Sequence, residues 1–157
     1  MTDTSAADQR RTASRPHILV GIDGSAGSLA ALRQAQVLAT ALSGSVEAVC
    51  IWEYPATVVG LVEWSGAADA RAILDDAVAV EFGSTPPSWV QKTVIEGGPA
   101  RSLVELSADA DLLVVGSRGH GGFAGLLLGS VSSVCAEHSS CPVLIVHGEK
   151  ILSRSAM

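Results

Sequence analysis

The sequence has few aromatic residues, few charged residues and little positive charge. Aromatic residues make up 4% and charged residues 17% of the 157 residues, whereas hydrophobic residues make up 48%. Val, Leu, Ile and Ala must therefore fill the core, which suits α/β layers. The formal net charge of -6 leaves no basic footprint, so we expect no nucleic-acid partner that is held through its phosphate backbone.

Cysteine is scarce, and no apolar run approaches the length of a membrane span. Cys50, Cys135 and Cys141 form no C-x-x-C pair, and buried reduced thiols of a cytosolic protein are the simplest interpretation. The N-terminus lacks the apolar core of a signal peptide. We expect a cytoplasmic protein with no membrane or metal partner, a disordered tail over 1–15, one domain over 16–148 and a second tail over 149–157.

Short apolar runs alternate with segments of helical spacing along the chain. Strands are predicted at His17–Asp23, Ser45–Trp52, Ser88–Ile95, Asp111–Gly116 and Cys141–His147, helices at Ser28–Leu42, Ala67–Phe82, Pro99–Ala108 and Ser130–His138, and a loop at Glu53–Gly66. This alternation predicts a parallel sheet with right-handed crossovers and helices on both faces. We expect a single-domain, doubly wound α/β fold of Rossmann-like type, with five parallel strands in the order 3-2-1-4-5.

Ligands of such sheets bind beyond the carboxyl ends of the strands, where the strand order reverses. Asp23, Ile51 and Gly116 fall at such ends. The run from Val114 to Ser132 reads V-V-G-S-R-G-H-G-G-F-A-G-L-L-L-G-S-V-S. Glycines let an anion approach the backbone closely, and the first turn of the following helix offers free N–H donors. The sequence therefore predicts a phosphate or nucleotide site.

The glycine spacing from Gly116 onward is G-x2-G-x9-G-S, and it resembles the G-x2-G-x9-G-[ST] motif of ATP-binding members of the universal stress protein family. The V-G-I-D-G-S opening and the terminal C-P-V-L-I-V strand are also similar to that family. The resemblance covers nearly everything from His17 to Gly148.

This resemblance implies an ATP site at the predicted crevice. Asp23 would lie at the adenosine end, where a carboxylate can accept a hydrogen bond from a ribose hydroxyl or from the adenine amine. Ile51 would offer backbone groups and an apolar surface to adenine. The implied cofactor-binding residues are Gly21, Asp23, Ile51, Val115, Gly116, Arg118, Gly119, Gly129, Ser130, Val131 and Ser132.

The loop residues would hold the phosphates. Gly116 and Gly119 would allow close approach near the ribose and the first phosphate, and residues 129–132 would supply N–H groups and hydroxyls. Arg118 stands where its guanidinium could reach phosphate. Gly21 occupies a position at which some ATP-binding members have proline, and we expect this change to be tolerated because a backbone position is involved.

Structural interpretations compete with these roles. Asp23 also fits a turn former or a helix cap, and Arg118 equally fits a solvated loop charge. Gly121, Gly122 and Gly125 are expected only to turn the chain. These alternatives stay open at this point.

The resemblance implies a stress-response or signalling protein that retains ATP, with or without Mg²⁺, and couples it to dimer state or partner binding. Residues 116–132 contain no lysine and no acidic residue, so the P-loop signature is absent and at most slow hydrolysis or autophosphorylation is expected. The apolar last strand, Cys141–His147, predicts a homodimer.

Three other functions remain open. The first is cyclic AMP binding, which some actinobacterial relatives show. The second is an NAD-dependent oxidoreductase, because Gly119–Ala124 satisfies G-x-G-x-x-A, although this fingerprint normally follows the first strand and here follows the fourth. The third is an interaction module with a vestigial site.

Overall fold

The computed structural model describes residues 14–54, 66–119 and 127–148. Most of the predicted tail over 1–15, the tail over 149–157 and most of the predicted loop Glu53–Gly66 lie outside these residues, as do Gly121, Gly122 and Gly125. Within the described ranges, none of the helices combines the length and the hydrophobicity that crossing a membrane requires.

Five strands and four helices alternate in the described residues. The strands are β1 (His17–Gly21), β2 (Ser45–Trp52), β3 (Val90–Glu96), β4 (Leu112–Gly116) and β5 (Val143–Val146), and the helices are α1 (Ala26–Leu42), α2 (Gly66–Phe82), α3 (Pro99–Leu106) and α4 (Ser130–His138). A 3-10 turn over Ser107–Asp109 follows α3. All strand pairs are parallel and the order is β3-β2-β1-β4-β5, so the predicted fold and strand order are confirmed.

The first strand and the first helix meet at a turn that shifts both of their predicted bounds. β1 ends at Gly21 rather than at Asp23, because the Asp23 carboxylate accepts the N–H of Ser25 at 2.9 Å and turns the chain. α1 begins at Ala26 rather than at Ser28, because the hydroxyl of Ser25 caps the helix by accepting the N–H of Ser28 at 3.2 Å.

The sheet has an apolar layer on each face. Side chains alternate along each strand, so Ile18 and Val20 pack with α1 and α2, while Leu19 packs on the opposite face with residues of α3 and α4. β1 and β4 are buried on both faces, which explains why their sequences are continuously apolar. The carboxyl ends of the central strands therefore open between α1 on one side and the α3 and α4 layer on the other.

Candidate functional site

A cavity of about 490 Å³ lies at the carboxyl ends of β1, β2 and β4. The strand order reverses here, since β1 pairs with β2 on one side and with β4 on the other. Small-molecule sites measure roughly 300–1,000 Å³, so a nucleotide-sized ligand is a suitable occupant. Among the lining residues are all those predicted from the sequence, namely Gly21, Asp23, Ile51, Val115, Gly116, Arg118, Gly119, Gly129, Ser130, Val131 and Ser132.

The cavity also has lining residues that the sequence did not indicate. They are Ile22, Ser25, Ser28, Val49, Pro99 and Leu103. Ser25 and Ser28 could have been found, because Ser followed three residues later by Ser after Asp-Gly is typical of a capped helix start. Pro99 and Leu103 belong to the crossover helix α3, and only the packing of that helix brings them to the cavity.

Asp23 is held by hydrogen bonds with Ser25 and Ser28. Its Oδ1 accepts from the N–H of Ser25 at 2.9 Å and from the hydroxyl of Ser25. The N–H of Asp23 donates to the hydroxyl of Ser28 at 3.3 Å, and that hydroxyl donates to the carbonyl of Ser25 at 2.9 Å. One carboxylate oxygen therefore forms the turn, as the structural interpretation expected, while the helix cap itself is Ser25.

The other oxygen of Asp23 faces the glycine-rich segment. A Cβ added to Gly119 would lie 2.6 Å from Asp23 Oδ2. A side chain at position 119 would therefore make the Asp23 carboxylate shift. The juxtaposition places Asp23 Oδ2 against the loop that follows β4, on the cavity side of the turn.

Gly116 has a different neighbour from the one expected. A Cβ on Gly116 would lie 2.7 Å from the carbonyl carbon of Gly27 in the first turn of α1, and a Cβ on Gly27 would lie 2.7 Å from the carbonyl oxygen of Arg118. The missing side chain of Gly116 thus makes room for α1, while Gly116 also lines the cavity. Gly129 is less constrained, because its nearest neighbours would lie 3.5 to 3.7 Å from an added Cβ.

The start of α4 is only partly as predicted. The N–H of Gly129 donates to the carbonyl of Ser117 at 2.7 Å. The buried hydroxyl of Ser132 lies 3.0 Å from that same carbonyl and 3.1 Å from the carbonyl of Gly129. Both groups tie α4 to the end of β4, and the phosphate role predicted for them stays a prediction.

The remaining donors at this helix start are backbone N–H groups. An α-helix leaves its first N–H groups without acceptors in the helix, and no side chain caps α4. Ser130, Val131 and Ser132 are its first three residues and line the cavity, and Ser130 is exposed. Together with the helix dipole, these groups can bind an anion.

Ile51 lies two residues beyond the last residue of β2 that pairs with β1, although on its other side it pairs with Ile95 of β3. The last pair of β1 with β2 joins Gly21 to Val49, and the Val49 carbonyl accepts the N–H of Ile22 at 2.8 Å. Backbone groups two residues apart on a strand point the same way, so the N–H and C=O of Ile51 point past the end of β1 into the cavity. They provide a donor and an acceptor side by side.

The charged and apolar walls of the cavity are separate. Among the described lining residues, Asp23 is the one carboxylate and the exposed Arg118 the one cation. Val115 is 4% exposed and belongs to the apolar layer under α3 and α4. In the described part of the chain no three His, Cys, Asp or Glu side chains are grouped so as to hold a metal ion.

The three cysteines are free thiols. Burial, and to a lesser degree the negative charge of Asp23, raises the pKa of Cys50. Burial, followed by the neighbouring Cys141, raises the pKa of Cys135 to about 11. Thiols of this kind are protonated and poorly nucleophilic at neutral pH. Cys50 and Cys135 are buried as predicted, whereas Cys141 is only half-buried.

Known proteins are similar in sequence to most of this chain. A universal stress protein of Mycobacterium tuberculosis is 34% identical over 134 residues, which are 82% of this chain and 44% of the relative. A universal stress protein of Mycolicibacterium smegmatis is 36% identical over 141 residues, which are 88% of this chain and 48% of the relative. The chain therefore spans less than half the length of these curated relatives.

Two solved structures are similar in fold. A universal stress protein crystallised in complex with cAMP has a TM-score of 0.66 and 32% identity, covering 87% of this chain and 100% of that one. The universal stress protein UspA from Lactobacillus plantarum has a TM-score of 0.69 at 19% identity, covering 85% of this chain and 99% of that one. Finally, the sequence model of the Universal stress protein family matches residues 15–147, and the chain belongs to that family.

Proposed function

We propose that this protein binds an adenine nucleotide, ATP in the first place, and retains it as a stress or signalling ligand. The observation that carries the proposal is that one cavity is lined by two groups of opposite electrostatic character. They are a carboxylate, Asp23, and the uncapped start of α4. A nucleotide has the same asymmetry, with neutral hydroxyls and a base at one end and anionic phosphates at the other.

Electrostatics sets the direction of the nucleotide. The negative charge of Asp23 repels phosphate, whereas the N–H groups and the dipole at the start of α4 attract it. Arg118, in the loop that leads from β4, also lines the cavity and adds a positive charge. The phosphates therefore belong at residues 130–132, and the ribose belongs near Asp23, where a hydroxyl can donate to the carboxylate.

Adenine fits the remaining wall. The N–H and C=O of Ile51 offer a donor beside an acceptor, and adenine carries ring-nitrogen acceptors beside its amino donor. Val49, Pro99 and Leu103 supply an apolar surface around this edge, and burial of a flat base against such a surface is favourable. Ile51 thus recognises the base through its backbone.

Cyclic AMP is the second candidate ligand, and a relative favours it. The similar structure at 32% identity is a complex with cAMP. In addition, the Ser132 hydroxyl is used inside the protein, which leaves fewer donors for a triphosphate than the sequence suggested. ATP retains first place because three N–H groups, the Ser130 hydroxyl and Arg118 together suit more than one phosphate.

The site supports retention better than turnover. Phosphoryl transfer requires a positioned base and usually carboxylates that hold Mg²⁺ near the γ-phosphate. Asp23 is the one carboxylate among the described lining residues, and one of its oxygens already accepts from Ser25. This donor set fits a Mg²⁺ ion that is held mainly by phosphate oxygens and water. We therefore expect hydrolysis or autophosphorylation to be slow.

Dimerisation through the last strand is the second part of the proposal. β5 lies at one edge of the sheet, and Val143–Val146 is half-buried along its whole length. Such an edge pairs readily with another strand, and we propose that a second copy covers Cys141–His147. In size-exclusion chromatography with light scattering, a Val143→Lys, Ile145→Lys variant should be monomeric, and an unchanged dimer would contradict this part.

The nucleotide is tested by identifying what the purified protein carries. Denatured protein is analysed by chromatography for released nucleotide, and calorimetry compares ATP, cAMP and NAD. Gly129→Val, which fills the cavity beside α4, should abolish binding. Gly98→Val is the matched control, because Gly98 precedes α3 in the same capping position, lies outside the cavity and has open space around it.

Each outcome identifies one function. ATP bound by the wild type and lost only in Gly129→Val supports the proposal, and preference for cAMP selects the second candidate. Released NAD would favour the oxidoreductase. No binding of any of the three would leave an interaction module with a vestigial site.

A further inference from the structure

Gly21 and Leu103 make a close contact at the apolar wall of the cavity. A Cβ added to Gly21 would lie 3.0 Å from Leu103 Cδ1, 3.6 Å from Leu103 Cδ2 and 3.6 Å from Val115 Cγ1. Gly21 ends β1 and Leu103 lies in the middle of α3. The side chain of Leu103 therefore occupies the space next to the strand that a side chain at position 21 would need.

Leu103 packs in the apolar core and also borders the cavity. It is 3% exposed and belongs to the apolar cluster with Leu19, Val49 and Val115, yet it lines the cavity. Close-packed neighbours resist displacement, so this side chain moves more easily toward the cavity than into the core. The position of Leu103 thus sets how far the cavity extends at this wall.

The wall that Leu103 forms suits a base and not a phosphate. Its neighbours in the lining include Pro99 and Val115, and none of these side chains offers a hydrogen bond. An anion would lose its hydration here without compensation, whereas an aromatic ring would be favoured. The group that meets Leu103 is therefore the nucleobase, on the proposed orientation of the nucleotide.

We propose that Leu103 determines the specificity of the site for an unsubstituted adenine. It limits the part of the cavity beside Gly21 and Val115, which we call the slot, and so excludes bulkier bases. Gly21 is its complement, because a larger residue at position 21 would push Leu103 into the slot. The inference rests on the proposed adenine-nucleotide function and adds to it the residue that limits the size of the base.

The test enlarges the slot and measures selectivity. Leu103→Ala is titrated with ATP and with ATP analogues alkylated at C2, N6 or C8 of adenine. For at least one analogue, the affinity relative to ATP should rise by about tenfold or more, the range that one or two methylenes command in an apolar pocket. Leu106→Ala is the matched control, since Leu106 lies on the same helix and packs against the same cluster but does not line the cavity.

A second variant tests the role of Leu103 without removing a side chain from the core. Gly21→Ala should weaken ATP binding, because the new Cβ displaces Leu103 toward the base. The double variant Gly21→Ala, Leu103→Ala should recover most of that loss, because the methyl group then has room. A purely structural contact would change the free energy of unfolding in these variants without changing the ratio of analogue to ATP affinity.

The outcomes separate this inference from the proposed function. Wild-type protein that binds ATP, with analogue ratios that are the same in Leu103→Ala and Leu106→Ala and with no recovery in the double variant, would overturn the role of Leu103 alone. Wild-type protein that binds no adenine nucleotide would overturn both. A selective gain in Leu103→Ala, or recovery in the double variant, supports the role.

Discussion

Two helices begin beside the same cavity, and they begin differently. At α1 the hydroxyl of Ser25 accepts the N–H of Ser28 at 3.2 Å, and Asp23 stands next to this cap. At α4 the cap residue is Gly129, which has no side chain to accept a hydrogen bond. The first helix start is satisfied and carries a negative charge, and the second keeps its donors.

The start of α4 thus departs from the preference for a hydrogen-bonding side chain at the N-cap, at a place where binding is expected. A capping Ser in place of Gly would stabilise α4 by only a few tenths of a kcal/mol, so glycine costs little. In exchange, the N–H groups of residues 130–132 stay available at the cavity. Departures from good helix capping are expected at functional sites, although α3 also begins at a glycine, Gly98, without a side-chain cap. What distinguishes α4 is that its first three residues line the cavity.

Giving α4 a capping side chain like that of α1 should weaken ATP binding more than any other change to these two helix starts. In Gly129→Ser the new hydroxyl would accept the N–H of Ser132 and compete with phosphate. An added Cβ fits, since its neighbours lie at 3.5 to 3.7 Å. We expect ATP affinity to fall about tenfold, which corresponds to the loss of one hydrogen bond to a charged group, while the free energy of unfolding rises by a few tenths of a kcal/mol. Calorimetry and urea unfolding measure the two.

Gly98→Ser is the control for this change. Gly98 caps α3 without a side-chain hydrogen bond, as Gly129 caps α4, but it does not line the cavity. Its replacement should stabilise the fold by a similar amount and leave ATP affinity unchanged. Equal affinity losses in the two variants, or none in Gly129→Ser, would show that the uncapped helix start is not the phosphate site.

A smaller effect is expected from removing the cap of α1. Ser25→Ala deletes the acceptor of the Ser28 N–H and one donor to Asp23. The free energy of unfolding should fall by about 1 kcal/mol, and ATP affinity should fall a few-fold at most because Asp23 still accepts the N–H of residue 25. Ser25→Thr, which keeps the hydroxyl, should restore both. An unchanged unfolding midpoint in Ser25→Ala would show that this cap contributes nothing.

Much of the fold can be predicted from patterns in the sequence alone. Continuous apolar runs such as residues 112–116 predict strands buried on both faces, and that pattern needs no knowledge of neighbours. Because parallel strands bring their carboxyl ends to one edge, Asp23, Ile51 and Gly116 could be placed at one crevice. The bounds of β1 and α1 shifted because side chains at residues 23–28 capture the backbone. The bounds of β3, β4, β5, α2 and α3 also differ from the predicted ones, by one or two residues.

The chemical roles of individual residues were harder to predict, because they depend on contacts between distant parts of the chain. The close approach of Gly27 to Gly116 could not be predicted from the glycine motif. The hydrogen bond from the hydroxyl of Ser132 to the carbonyl of Ser117 likewise had no signal in the sequence. Leu103 had no sequence signal, since its place in the cavity follows from how α3 crosses the sheet.

The smallest expected effect concerns the charge that distinguishes the two helix starts. The pKa of Cys50 is raised first by burial and second by the negative charge of Asp23. In Asp23→Asn the charge is lost while the amide oxygen can still accept from Ser25, so the pKa of Cys50 should fall. The pH at which iodoacetamide alkylates Cys50, followed by peptide mass spectrometry, should therefore move to a lower value.

The two other thiols serve as internal controls for this measurement. The pKa of Cys135, raised to about 11 by burial and by Cys141, has no contribution from Asp23 and should not move. The pKa of Cys141 is raised mainly by burial, with a smaller contribution from Asp111, so Asp111→Asn should lower it and leave Cys50 unchanged. If Asp23→Asn shifted the pKa values of all three thiols equally, the variant would have loosened the fold. The local charge of Asp23 would then not be what distinguishes the start of α1 from the start of α4.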